Sequence, residues 1–237
     1  MERLQSTLTE FASSDVRFEV HSITPPVSFL GSLTEFRCAR QIIANAIEAE
    51  RQGYDAFVIG HFQEPGLTEC RAAVDIPVLG LGEASITHAL SLGSSFGLIT
   101  INPAFLAWHR DQVTLYGLSK RCAGIHAVNT DVKIYMRAFQ EEESYDDIKS
   151  VYTAEASALM AKGCEVVIPA GGMPMLLFAK ERHFIDEGIF LLNGIATIVA
   201  AAEMAVKLHR LTGDTVSRSG KYSKASPEEI QEFLHSG

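Results

Sequence analysis

The chain has 237 residues, a hydrophobic share of 47%, a charged share of 21% and a formal net charge of -9. This mixture suits one large globular domain or two small ones and excludes a disordered chain, except near the C-terminus. The acidic balance argues against a general nucleic-acid binder, and no apolar run reaches the ~18 residues of a membrane span. Met1-Glu2-Arg3-Leu4-Gln5 lacks the basic start and apolar core of a signal peptide, so the expected location is cytoplasmic.

The elements alternate. Residues Glu2 to Ser13 read as an amphipathic helix carrying Leu4, Leu8 and Phe11, and Val16 to His21 alternates like a strand. After Pro25-Pro26, Ser32 and Thr34 can cap a long helix from Glu35 to Gln52 that ends at Gly53. The strand Ala56 to Ile59 leads into His61-Phe62-Gln63-Glu64-Pro65-Gly66, followed by a short helix at Leu67 to Ala73. Asp75 to Leu81 reads as a strand and Glu83 to Leu92 as a helix. A second cycle follows: strand Phe96 to Thr100, helix Pro103 to Tyr116, strand Gly124 to Val128, helix Asp146 to Lys162, strand Cys164 to Ile168. The chain closes with a helix at Pro174 to Arg182, a short strand at Ile189 to Leu192 and a long helix at Gly194 to Leu211.

Strands alternating with helices imply parallel sheets with right-handed crossovers. Gly53-Tyr54-Asp55 leads into one apolar strand and Gly163-Cys164-Glu165 into another, each after a long helix. That recurrence points to an internal duplication. The expected architecture is two similar three-layer α/β domains, pseudo-twofold related, with a cleft between them. One domain would comprise residues 1–93 plus 193–237, the other residues 94–192. Ligands of such folds sit beyond the carboxyl ends of the strands, at the loops after Ile59 and Ile168.

Cys38, Cys70, Cys122 and Cys164 form no Cys-x-x-Cys pair and no zinc spacing, so packing is expected of each and no metal site. Gly80-Leu81-Gly82 follows a strand but lacks the third glycine of a dinucleotide loop, and no phosphate-binding loop occurs, so no nucleotide cofactor is indicated. The basic stretch Arg210 to Lys224 reads as a solvated tail, and the acidic runs Glu141 to Glu143 and Asp146-Asp147 as a solvated helix start.

Four segments carry a family resemblance: Gly53 to Leu67, Val74 to Ala84, Gly163 to Met173 and Asn193 to Ala196. In order and spacing they resemble the aspartate/glutamate/hydantoin racemase superfamily, and hydantoin racemases in particular. The resemblance implies two α/β domains, a homo-oligomer, a small-molecule substrate and cofactor-independent chemistry. Two cysteines, one per domain, would exchange a proton at a carbon next to a carbonyl. The positions matching those cysteines hold His61 and Ala170. The resemblance also implies an opening strand and an Asn-rich loop ahead of the first helix, whereas this sequence starts at that helix.

His61 can still act, because an imidazole titrates near neutral pH. Glu64 is expected to orient it or share its proton. Gln63 in the same loop, Glu83 after the second strand, Thr100 and Asn102 after the third, and Asn193 after the last are candidate substrate contacts. Glu83 reads first as structural support or a helix cap, and Asn193 alternatively as the cap of the helix at Gly194. Ala170, Gly171 and Gly172 can present backbone N–H groups to a carboxylate or ring carbonyl, or form a plain tight turn. His88, His109 and His183 are expected to be structural. The function read from these residues is a racemase or isomerase of small carboxylates or hydantoin-like cyclic amides, with His61 as acid/base. A decarboxylase or ring-opening lyase, or a non-catalytic binding protein, is the alternative.

Overall fold

The computed structural model describes residues 1–27, 29, 31–181 and 188–235. Short runs rich in Val, Ile and Phe become the strands of two parallel sheets. In the first, β1 (Phe57–Ile59) pairs with β2 (Val78–Gly80), with Phe57 opposite Val78. In the second, β3 (Phe96–Thr100) lies between β4 (Cys122–Ala127) and β5 (Val166–Ala170). Thr100 is in register with Ala170 on one side and Ala127 on the other.

The helices are α1 (Glu2–Phe11), α2 (Ser32–Arg51), α3 (Leu67–Ala73), α4 (Leu81–Leu92), α5 (Leu106–Leu115), α6 (Val132–Ala138), α7 (Glu142–Met160), α8 (Gly172–Leu177), α9 (Gly194–Thr212) and α10 (Pro227–His235). The result is a mixed α/β fold with parallel sheets, as the alternation predicts. Both faces of β3 and β5 are covered. Leu98, Val166, Ile168 and Ala170 pack with Leu81, Ile86 and α9 residues Ile195, Ile198 and Val199, while Ile99 and Val167 pack with Tyr152, Ala156 and Leu159. Strands buried on both faces explain the unbroken apolar runs. A separate cluster joins Ile42, Ile43, Ala46 and Ile47 of α2 to Ile59, Val78 and α3 residues Leu67 and Cys70.

Several expectations need correction. Val16 to His21 is not a strand. Phe18 and Val20 do pack on the core, so the alternation reports sidedness correctly, but no neighbour supplies ladder bonds. Ile189 to Leu192 makes a single bridge, Val167 to Leu191, rather than a strand. Helix α2 starts at Ser32, its N-cap is Gly31, and neither Ser32 nor Thr34 caps it. Helix α6, capped by Asp131 accepting from Lys133 N–H at 2.8 Å, is an element that the hydrophobic pattern does not announce. The helix expected over Pro174 to Arg182 starts at Gly172 and gives way to a 3-10 turn at Phe178–Lys180. Its last residue and His183 lie outside the described residues.

The basic C-terminal stretch is not a solvated tail. Arg210 pairs with Asp55 at 2.7 Å, and Lys224 and Arg218 both pair with Asp75, at 2.8 and 2.5 Å. Arg218 also donates to the carbonyls of Arg71 and Val74, both at 2.7 Å. Beyond it, Ile230, Phe233 and Leu234 pack against the α2–α3 cluster, so the C-terminus is ordered as α10.

The two halves are tied through one buried carboxylate. Glu64 has φ 57, a left-handed conformation that strains a residue with a Cβ. Its carboxylate accepts from the Glu83 N–H at 2.6 Å, from Gln112 Nε2 at 3.1 Å, and from the Tyr116 hydroxyl. Gln112 also donates to the Phe62 carbonyl at 2.7 Å, so both its amide hydrogens are used. Its oxygen therefore accepts from His109 Nδ1 at 3.3 Å, which leaves His109 Nε2 to accept from the Thr100 hydroxyl at 3.1 Å. Gly80 and Gly82 make room for this arrangement. A Cβ on Gly80 would overlap Glu64 Oε1, and one on Gly82 would overlap the Phe62 carbonyl and Gln112 Nε2.

Two outcomes are expected. Gly82→Ala should lower unfolding stability by roughly 2–4 kcal/mol, measured by urea titration, because backbone must move to admit the methyl group. Burial raises the Glu64 carboxyl from 4.5 to about 7. A raised carboxyl stabilises the fold below its unfolded value and loses that contribution as pH rises through its folded value. The difference in Tm between the parent and Glu64→Gln should therefore shift against the parent between pH 5 and pH 8; a pH-independent difference would contradict this.

Candidate functional site

The site is built at the carboxyl ends of β1 and β5. Ile59 ends β1 in the core and Gly60 emerges into solvent. His61 follows in a turn closed by Glu64 N–H to the His61 carbonyl at 3.0 Å, and Leu67 N–H to the Glu64 carbonyl at 3.2 Å starts α3. At the other strand end, Ala170 is buried and Gly171 and Gly172 are half-buried, with Met175 N–H on the Gly171 carbonyl at 3.1 Å. The loops touch: a Cβ on Gly172 would stand 3.0 Å from the Gly60 carbonyl oxygen. Two strand exits 110 residues apart in sequence (from Gly60 to Ala170) thus meet at one place.

His61 is the titratable side chain at this junction, with a third of its side chain exposed. Its Nε2 lies 3.3 Å from Glu35 Oε2, on the first turn of α2. Burial lowers the His61 imidazole to about 4, against an opposing hydrogen bond from the Gln63 side chain. Burial raises the Glu35 carboxyl. At neutral pH His61 is an uncharged imidazole with a lone pair available to accept a proton. His109 is also lowered to about 4, by burial first and by the nearby His61 to a smaller degree.

The other expected site residues divide. Gln63 stays with His61. Glu64 turns its carboxylate to Glu83, Gln112 and Tyr116, and the carboxylate placed against the imidazole is that of Glu35. Glu83 forms an ion pair with Arg71, which also stacks on the Tyr222 ring. Thr100 is fully buried against His109. Asn102 accepts from Ala104 N–H at 2.8 Å, capping the 3-10 turn Pro103–Phe105. Asn193 caps α9 by accepting from Ala196 N–H at 3.0 Å and donates to the Ala179 carbonyl at 2.9 Å. His109, expected to be structural, is buried between the Phe62 and Phe105 rings and belongs to the Glu64 network.

Sequence reasoning missed Glu35, Gln112 and Tyr116. Glu35 reads as an ordinary acidic residue at a helix start, and Gln112 and Tyr116 as one face of a helix. No local signal marks them, because their partners are distant in sequence. The thiols are unsuited to nucleophilic work. Burial pushes Cys70 up to about 12 and Cys164 to about 11, and raises Cys38 and Cys122.

Among the described residues no cluster of three or more His, Cys, Asp or Glu side chains is arranged to hold a metal ion, and no helix is long and apolar enough to cross a membrane. A cavity of about 190 Å³ lies elsewhere, lined by residues that include Arg3, Glu141, Tyr145 and Lys180 and by none of the expected site residues.

Comparison with known proteins places this geometry in context. The chain is 28% identical over 206 residues to the hydantoin racemase of Paenarthrobacter aurescens, covering 86% of this chain and 82% of that protein. It is 27% identical over 179 residues to the hydantoin racemase of Rhizobium meliloti, covering 75% and 71%. Its fold resembles that of allantoin racemase from Klebsiella pneumoniae, with a TM-score of 0.77 at 23% identity, covering 95% of this chain and 88% of the other. The profile of the Asp/Glu/Hydantoin racemase family matches residues 1–204, and the chain belongs to that family.

Proposed function

We propose that this protein is a cofactor-independent isomerase of racemase type. It moves a proton at a carbon next to a carbonyl in a small carboxylate or a hydantoin-like cyclic amide, with His61 as the acid/base. The observation that carries this reading is the position of His61: at the carboxyl end of β1, half-buried, neutral, and against the loop that leaves β5. Its hydantoin racemase relatives and its family membership supply the reaction class.

In the proposed step the C–H bond breaks and its electron pair moves into the carbonyl as an enolate. The proton passes to the imidazole and returns from the imidazolium. Gly171 and Gly172 are the proposed contacts for the carbonyl or carboxylate, and Gln63 for a ring amide. Ala170 cannot carry a proton, so inversion needs a second donor. Glu64, Glu83, Thr100, Asn102 and Asn193 act in this reading by holding the strand exits in place. The division into residues 1–93 with 193–237 and residues 94–192 belongs to the same reading, supported by the separate sheets. Self-association is also part of it, supported by the exposed stripe Met204, Leu208 and Leu211 along α9.

The test is loss of the C–H signal by NMR in D2O, over a panel of 5-substituted hydantoins and amino-dicarboxylates. The parent is expected to exchange at least one of them, and His61→Asn to reduce the rate by about 10²–10⁴-fold. Exchange without a change of substrate mass separates an isomerase from a lyase. Absence of exchange across the panel, or an undiminished rate in His61→Asn, would sink the reading.

A further inference from the structure

Glu35 presents an unusual oxygen. Its Oε2 is buried with no hydrogen-bond partner among the described residues, although His61 Nε2 lies 3.3 Å away. A carboxylate oxygen withdrawn from water with no donor is unfavourable by about 1–3 kcal/mol. Native structures keep few such groups, and those they keep call for an explanation. Nothing in the packing of α2 requires an acid here. The next turn carries Cys38 into the core, and the flanking Phe36 is exposed. The charged and titratable neighbours of the pair are Arg37 and Cys38 on α2 and His109 on α5, and the uncharged Gln63 side chain hydrogen-bonds to His61. Among the described residues none of these gives Oε2 a partner, and Nε2 of His61 lies 3.3 Å from it.

We propose that Glu35 is the positioning residue of His61: its Oε2, 3.3 Å from Nε2 and without a formed hydrogen bond in the resting site, keeps the ring proton on that nitrogen, so that Nδ1 carries the lone pair that takes the substrate proton. This rests on the reading of His61 as the proton acceptor. When Nδ1 accepts the substrate proton the ring becomes an imidazolium. Nε2–H stays where it is, and its contact with Oε2 becomes a charge-assisted hydrogen bond that shortens. The unsatisfied oxygen of the resting site is satisfied when charge develops on the ring, so the stabilisation is larger in the proton-transfer state than before it. Return of the proton to carbon reverses both changes. A carboxylate that orients an imidazole and stabilises its protonated form is a familiar arrangement in hydrolases. Here it would come from a helix at the entrance to the first sheet, far from His61 in sequence.

The experiment uses the full chain with 15N-labelled histidine, in the parent, Glu35→Gln and Glu35→Asp, with His61→Asn to assign the His61 signals. The ring nitrogens report the tautomer and its titration directly. In the parent the Nε2–H tautomer is expected. In Glu35→Gln the tautomers should mix and the His61 titration should move to lower pH, since the imidazolium loses its counter-charge, whereas Glu35→Asp should retain the parent's direction. Exchange of the C5 proton of 5-methylhydantoin should fall about 10²-fold in Glu35→Gln, with partial recovery in Glu35→Asp. An unchanged His61 tautomer and titration in Glu35→Gln would overturn the proposal. If the parent exchanges no substrate, the isomerase reading fails, while the nitrogen titration still decides whether Glu35 controls His61.

Discussion

One buried carboxylate organises this molecule. Glu64 leaves the first sheet in a left-handed conformation and is held there by donors from three places: the backbone at the start of α4, the side chain of Gln112 on α5, and the hydroxyl of Tyr116 at the C-cap of α5. Remove any donor and a desolvated acid remains, which is costlier than the loss of the bond itself. The neighbouring sequence bends to this requirement. Gly80 and Gly82 are small because Glu64, the Phe62 carbonyl and Gln112 occupy the space a side chain would need. The Gly-x-Gly at the junction of β2 and α4 is therefore a packing device here.

The same network sets the site. Gln112 grips the carbonyl of Phe62, the residue after His61, and so fixes the loop that presents the imidazole. Through Gln112 and His109 it reaches Thr100, which is in register with Ala170 on β5. The loop leaving β1 and the loop leaving β5 are thus joined by a chain of hydrogen bonds. The approach of Gly172 to the Gly60 carbonyl follows from it. At the two strand exits this chain offers an imidazole beside a carboxyl group on one side and a methyl group on the other. That asymmetry is the main chemical fact about the site.

The periphery shows a second way of joining distant segments. The stretch from Arg210 to Lys224 is charged and reads as solvated, yet its cations meet Asp55 and Asp75 and the free carbonyls at the end of α3. Exposed ion pairs of this kind are individually weak, and the guanidinium bonds to backbone carbonyls give the strap its register. Helix α10 then covers apolar surface of the α2–α3 cluster.

The alternation of helices and strands from α2 to β5, apart from α6, the parallel sheets, the apolar stripes and the two strand exits were legible in the sequence. Each depends on the period of hydrophobicity or on local turn chemistry, which are properties of neighbours along the chain. The identity of His61 and Ala170 at the exits was legible too, because the flanking motifs locate them. The rest was settled by tertiary structure. Whether Val16 to His21 becomes a strand depends on a bonding partner, which alternation cannot report. Glu64 beside His61 in sequence suggests a pair, yet the left-handed turn points its carboxylate to α5, and Glu35, 26 residues earlier, takes the place at the imidazole. Polar partners are chosen by distance in space, and a single sequence encodes that distance only through the fold.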